Sequence, residues 1–201
     1  MKIGIMGGTF NPIHNGHLAL ACKAKEAAGL DEVWFMPSGL PAHKSNSELL
    51  SAIDRICMVQ NAIKGQDGLV ASSFEIDRPG FTYTADTVTA LKEEYPEHTF
   101  YFIIGGDSLM KFHHWVKPEV ISSHVTLLAA GRNGFSEKDL MEQQTKLFQL
   151  FGTKVQFINL PEIDISSSRI REFIKAGQIS EVKTMIPEAV YQYIADNTLY
   201  Q

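Results

Sequence analysis

Apolar and polar positions switch between two periodicities along the chain. Short apolar or β-branched runs, each about a strand long, recur at Ile3 to Met6, Val33 to Met36, Leu69 to Ala71, Phe100 to Ile104, Val125 to Ala130 and Val155 to Ile158. Between them the spacing turns helical, over His17 to Ala28, Ser51 to Ile63, Ala85 to Glu94 and Glu137 to Phe151. End signals agree with these bounds. Gly29 follows the first helix as a C′ residue, Ser51 with Asp54 three positions on resembles a capping box, and Pro96 stops the third helix. In the second helix the spacing of Ile53, Ile56, Cys57 and Ile63 predicts the buried face, which makes Cys57 core filler rather than a reactive thiol. Cys22, inside the first apolar helical pattern, is expected to be the same.

Strand and helix in this alternation predict βαβ units: an α/β fold with a doubly wound, mainly parallel, Rossmann-like sheet. Ligands of such sheets bind beyond the carboxyl ends of the strands. From Ile165 the strand pattern stops, and helix starts appear at Ser166 to Ser168, at Ser180 and at Pro187, a good N1 residue. The expected organisation is an α/β domain over residues 1–164 with a small helical cap, residues 165–201, packed on it.

Composition narrows the class. The chain has 201 residues, 44 % of them hydrophobic and 20 % charged, which is globular usage rather than disordered or low-complexity. With two cysteines far apart, neither a disulfide framework nor a four-ligand zinc site can be built, and a reducing compartment is the simpler expectation. The net charge of -5, from 18 basic and 23 acidic residues, argues against a nucleic-acid partner. A small anionic ligand needs only a few donors and stays open. No apolar stretch approaches the ~18 residues needed to span a bilayer, and the apolar N-terminal run is too short for a signal sequence. The expectation is a cytoplasmic protein without a membrane partner. A homo-oligomer is compatible with all of this.

The chemistry concentrates after the first strand, in Gly7-Gly8-Thr9-Phe10-Asn11-Pro12-Ile13-His14-Asn15-Gly16-His17. The glycines permit a tight turn and close approach of a ligand to backbone N–H groups, and Asn11-Pro12 is a turn signal. The loop delivers His14 and His17 to a helix N-terminus, where unpaired N–H groups and the positive dipole end attract anions. Two imidazoles three residues apart, with Gly16 leaving room between them, can both donate to one phosphate. The glycines fit neither the dinucleotide G-x-G-x-x-G fingerprint nor a Walker-type loop. No third residue lies at metal-ligand spacing.

Two further segments follow strands. Ile103-Ile104-Gly105-Gly106-Asp107 would suit a ribose, with glycine admitting the ligand and Asp107 accepting from sugar hydroxyls, or Asp107 could be a helix N-cap. Ile165-Ser166-Ser167-Ser168-Arg169-Ile170-Arg171 opens a helix whose hydroxyls can cap it or donate to a phosphate. Arginines two apart on a helix point roughly 200° apart, so Arg169 and Arg171 cannot both face one ligand.

His14-Asn15-Gly16-His17 matches the H-x-G-H signature of nucleotidylyltransferases, and the whole loop resembles that of bacterial nicotinate-nucleotide adenylyltransferases. The signature is shared with cytidylyltransferases and class I aminoacyl-tRNA synthetases, but a K-M-S-K-S-like loop is absent. Other segments resemble the same family. Ile165 to Arg171 is similar to its I-S-S-T-x-x-R motif, with Ser168 for threonine, and that similarity selects Arg171. Thr82-Tyr83-Thr84-Ala85-Asp86-Thr87 matches T-Y-T-x-D-T, and Pro37 to Lys44 resembles P-x-x-x-P-P-H-K with Ala42 for the second proline. The likeness runs in order from Lys2 to near Arg171.

The resemblance implies an enzyme of NAD biosynthesis, with ATP and nicotinate mononucleotide as partners, giving deamido-NAD and pyrophosphate. It implies catalytic roles for His14, His17, Lys44 and Arg171. ATP would be held by Gly7, Gly8, Thr9, Phe10, Gly16, Gly105, Asp107, Arg132, Ser167 and Ser168, and the mononucleotide by His43, Lys44, Thr84, Trp115 and Val116. Trp115 taken alone reads as core, but the family stacks its pyridine ring on a tryptophan at the matching place. Thr84, as N-cap, would free backbone N–H groups for the nicotinate carboxylate. Lys44 and Arg132 read without the family are equally solvated surface cations. Mg²⁺ is the implied cofactor, bound mainly through ATP phosphates, with no protein metal ligands. The competing readings are an adenylyltransferase for nicotinamide mononucleotide or phosphopantetheine, and a non-catalytic nucleotide sensor.

Overall fold

The computed structural model describes residues 1–41, 49–131, 134–161 and 163–201, the side chains of Leu40 and Pro41 excepted. In chain order the elements are β1 (Lys2–Gly8), α1 (Asn15–Ala28), β2 (Glu32–Pro37), β3 (Leu40–Pro41), α2 (Ala52–Ile63), β4 (Leu69–Ala71), β5 (Phe81–Thr82) and α3 (Thr84–Glu94). There follow β6 (Thr99–Ile104), α4 (Gly106–Lys111), α5 (Pro118–His124), β7 (Val125–Ala130), α6 (Glu137–Phe151) and β8 (Val155–Ile158). The chain ends in α7 (Ser167–Lys175), α8 (Ile179–Met185) and α9 (Glu188–Asp196).

Six strands form one parallel sheet in the order β4-β2-β1-β6-β7-β8, and β3 pairs with β5 in a separate two-stranded patch. Each predicted strand is present in this sheet. The chain builds outward from β1 in one direction, then returns and builds outward from β6 in the other. The crevice between β1 and β6 is therefore the switch point where doubly wound sheets bind ligands. β1 leads into the histidine loop and β6 into Gly105.

Both faces of the sheet are covered, so successive strand residues enter different cores. Ile3 and Ile5 pack with Met36, Phe100, Phe102 and Leu127 under α3, α5 and α6, while Met6, Val33, Phe35, Ile103 and Leu128 pack under α1 and α2. The latter core extends to Ile170, Ile174, Val182, Val190 and Ile194, so α7, α8 and α9 bury their apolar sides on the same face. Gly4 in mid-strand lets Leu30 pack close, since a Cβ there would lie 2.6 Å from Leu30 Cδ1 and displace it. Among the described residues no helix is long and apolar enough to cross a membrane.

Three local expectations are corrected. Cys22 is exposed and Cys57 only half-buried. The buried face of α2 carries Arg55, Met58, Val59, Ala62 and Ile63, and Ile53 is 71 % exposed. The stripe is rotated because a buried arginine, which the apolar count excluded, begins it. Tyr83, not Thr84, is the N-cap of α3, with Tyr83 O accepting from Asp86 N at 3.0 Å and Thr87 N at 3.1 Å. Ser51 does cap α2, accepting from Asp54 N at 3.0 Å.

Candidate active site

The loop after β1 turns back through Phe10, whose φ of 49° places it in the left-handed region. That turn drives the ring inward, where it is 2 % exposed and meets Phe35 and the edge of His17. Only the main chain of Phe10 is left for a ligand. Gly8 makes room for this ring, because a Cβ there would come within 3.1 Å of it.

His14 is the N-cap of α1 and His17 stands in its first turn. Their rings stack at 3.6 Å with 24° between planes. The His14 N–H donates to His17 Nδ1 at 3.2 Å, so a neutral His17 carries its proton on Nε2 and offers that N–H as donor. His14 is 7 % exposed, and its Nδ1 has no hydrogen-bond partner among the described residues. That atom faces Gly16, where a Cβ would lie 3.1 Å away, so the glycine of H-x-G-H is a packing requirement. A buried polar atom without a partner carries a desolvation cost.

Burial pushes His14 down from the ordinary histidine value of 6.5 to about 4. At neutral pH the pair therefore holds at most one charge, and His14 acts as a neutral ring. The unfolded chain takes up a proton near 6.5 and the folded chain near 4, so this contribution to stability is full above pH 6.5 and is lost as pH falls toward 4. By about pH 5 the loss is expected to be roughly 2 kcal/mol. Urea unfolding of the wild type and His14→Gln at about pH 7.5 and pH 5 checks this. The wild type should lose that much more than the variant.

The Ser/Arg segment comes to the same loop from the far end of the chain. Ser166 caps α7 by accepting from Arg169 N, Ser167 Oγ donates to Pro12 O at 2.8 Å, and Arg171 Nη1 donates to Asn11 O at 3.0 Å. Arg171 Nη2 also reaches Ser168 Oγ at 3.4 Å. Arg169 points elsewhere, pairing with Asp164 at 2.9 Å and lying over Phe173. The helical angle thus separates the two arginines as the spacing requires.

After β6, Gly105 is the N-cap of α4, and a Cβ on it would meet nothing within 4 Å. Among the described residues no neighbour demands glycine there. Asp107 lies exposed in the first turn of α4, so it is not the N-cap.

A cavity of about 290 Å³ is lined by Thr82, Tyr83, Thr84, His114, Trp115, Val116 and Ile121. Trp115 packs edge-on against Phe102 at 6.1 Å and contacts Phe112 at 5.4 Å, so it is both half-buried against the core and a wall of the cavity. No side chain caps α3, which leaves the N–H groups of Thr84 and Ala85 as donors beside this cavity, while that of Asp86 is taken by Tyr83 O. His43, Lys44 and Arg132 lie outside the described residues.

Sequence reasoning missed three residues that hold the site. Arg55 bonds the carbonyls of Thr9, Gly39 and Leu50. Asn11 Oδ1 accepts from Leu50 N at 3.3 Å and from the Tyr200 hydroxyl at 2.8 Å. Burial raises the Tyr200 hydroxyl above its ordinary value, which keeps it a donor. A charged residue inside an apolar stripe was the available signal for Arg55; nothing local marks Tyr200.

The chain matches the cytidylyltransferase-like family over residues 5–173. A relative from Lachnoclostridium phytofermentans named "probable nicotinate-nucleotide adenylyltransferase" is 40 % identical over 99 % of this chain and 98 % of its own length. One of the same name from Dehalococcoides mccartyi is 42 % identical over 100 % of this chain and 97 % of its own. Among solved structures, the Plasmodium falciparum nicotinic acid mononucleotide adenylyltransferase complexed with NaAD superposes with a TM-score of 0.81 at 25 % identity, covering 99 % of this chain and 97 % of that one. Matches spanning both chains end to end, over a switch-point crevice fed by an H-x-G-H loop, make this chain a member of the cytidylyltransferase-like family and, within it, of the nicotinate-nucleotide adenylyltransferases.

Proposed function

We propose that this protein transfers the adenylyl group of ATP to nicotinate mononucleotide, giving nicotinate adenine dinucleotide (deamido-NAD) and pyrophosphate. The observation that carries the acceptor is the cavity in which Thr84 and Trp115 meet. A planar pyridine ring fits against the indole, where stacking contributes on the order of 1 kcal/mol beyond burial. Its carboxylate fits the uncapped N–H groups of α3. The Plasmodium falciparum relative holds NaAD, the product named here.

In the reaction an oxygen of the mononucleotide 5′-phosphate attacks the α-phosphorus of ATP in line. The bond from that phosphorus to the β-bridging oxygen breaks, and its electron pair leaves with pyrophosphate. No covalent enzyme intermediate is needed, so catalysis is alignment plus stabilisation of charge on the phosphates. His14 and His17 donate to the phosphates from the α1 N-terminus. Arg171, with Ser167 and Ser168, receives the leaving pyrophosphate. Gly105 and Asp107 hold the adenosine ribose, and Gly7, Gly8, Thr9 and Gly16 shape the phosphate loop. Lys44 and His43 are assigned to the mononucleotide phosphate, and Arg132 to ATP. On this reading residues 165–201 form a helical cap that supplies the Ser/Arg end of the ATP site.

A divalent cation, Mg²⁺, is assigned to the ATP phosphates, where it would neutralise charge. His14, His17 and Arg171 meet at the loop as hydrogen-bond donors and not as hard oxygen ligands, so the ion is assigned to phosphate oxygens. The cytoplasm, where ATP is abundant and thiols stay reduced, is the inferred compartment.

The test is pyrophosphate release from ATP and Mg²⁺ with nicotinate mononucleotide, nicotinamide mononucleotide or phosphopantetheine as acceptor. Release is expected with the acid, and at least tenfold less with the amide at equal concentration. Equal turnover of acid and amide would remove the carboxylate assignment, and no release with any acceptor would remove the enzyme reading.

A further inference from the structure

Arg55 is 1 % exposed and is the largest fully buried side chain among the described residues. A guanidinium taken out of water costs several kcal/mol unless its donors are met. Here Nη1 donates to Thr9 O at 3.0 Å, Nη2 to Gly39 O at 3.1 Å and Nε to Leu50 O at 3.2 Å. The three acceptors belong to three separate segments. Thr9 lies in the loop that leads to His14 and His17. Gly39 follows β2, and Leu50 leads into α2. In the sequence Gly39 and Leu50 bracket the stretch that contains His43 and Lys44.

Neighbouring contacts tighten the same joint. A Cβ on Gly39 would lie 2.6 Å from Glu75 O, so the two main chains pass as closely as glycine allows. Buried Glu75 accepts from the Thr87 hydroxyl at 2.8 Å, and Thr87 in turn bonds Tyr83 O at the start of α3. The wall of the Trp115 cavity is thereby linked to the segment that Arg55 holds.

We propose that Arg55 is a positioning residue which sets the spacing between the loop after β1 and, through Gly39 and Glu75, the Tyr83 wall of the Trp115 cavity. This rests on the adenylyltransferase reading, in which the first serves ATP and the second the mononucleotide. A planar fork with donors fixed in direction spans three carbonyls at once, and an ammonium on a flexible stem does not. Holding both segments to one rigid group fixes their separation before substrate arrives. Because in-line attack is sensitive to displacements of about 1 Å, loosening this joint acts on turnover more than on binding.

Arg55→Lys and Arg55→Met test this by steady-state pyrophosphate release with both substrates varied, alongside thermal unfolding. Arg55→Lys is expected to unfold within a few degrees of the wild type and to lose about 10- to 100-fold in kcat, with each KM within about threefold. Arg55→Met is expected to lose at least as much kcat. A kcat within about twofold of wild type, a raised KM at unchanged kcat, or an Arg55→Lys protein that is unfolded at the assay temperature would each overturn it. A wild-type protein inactive with every acceptor overturns the functional reading and this inference with it. An active wild type beside an unimpaired Arg55→Lys overturns this inference alone.

Discussion

Replacing His17 by alanine is expected to lower kcat about 10²–10³-fold, the cost of removing one pre-aimed donor from a transition state that concentrates charge on phosphate oxygens. The structure gives the reason for so large an effect. The His17 ring is fixed by its stack on His14 at 3.6 Å, by its near-perpendicular contact with Phe10, and by the bond it accepts from His14 N–H. Its Nε2–H is therefore aimed before substrate binds. A water replacing the ring would have to be oriented anew in each turnover. The KM for ATP should rise by much less than kcat falls, because the triphosphate keeps its other contacts. Initial rates of pyrophosphate release, with ATP affinity measured separately by calorimetry, check the split. A loss of affinity equal to the loss of turnover would instead favour a nucleotide sensor.

Arg171→Ala should be of comparable size, about 10²-fold or more in kcat. Its guanidinium donates to Asn11 O and to Ser168 Oγ, one on the histidine loop and one on its own helix, so it sits where both segments meet. Pyrophosphate leaves with more negative charge than ATP presented at that end, and a planar cation there stabilises the later state more than the earlier one. In the reverse direction the KM for pyrophosphate should rise at least tenfold. Arg171→Lys keeps the charge but loses the fork, and it should recover only part of the loss. Arg169→Ala is the control. That side chain is engaged with Asp164 and Phe173, so both directions should stay within about twofold of wild type. An unchanged pyrophosphate KM in Arg171→Ala would remove it from the leaving-group role.

Each of these effects depends on segments that are distant in the chain. Residues 11 and 171 meet across one hydrogen bond, as do residues 11 and 200. The apolar runs were readable because strands covered on both faces need little polar alternation, and their lengths set them apart from the intervening helices. Two short helices were not readable. α4 and α5 have six and seven residues, too few for a helical period to stand out, and they are held by packing of Leu109, Phe112 and Ile121. The face of α2 was misread because Arg55 occupies a core position, and a charged residue enters a core only when distant carbonyls receive it. Cys22 sits in an apolar-looking pattern that the sheet does not cover at that angle, so its exposure follows from how α1 is placed.

Local sequence alone specifies the βαβ order, the helix-start position of His14 and His17, the small residue between them, and the incompatibility of Arg169 and Arg171 on one ligand. All of these follow from short-range geometry, namely residues per turn, strand length and the freedom of glycine. Only the tertiary structure decided that β1 and β6 are neighbours at the switch point, that Trp115 and Thr84 share one cavity, and that Arg171, Tyr200 and Arg55 converge on residues 9 to 12. The reason is physical. Those contacts are chosen by which buried polar groups can find partners once the two cores have closed, and that choice has no period along the chain.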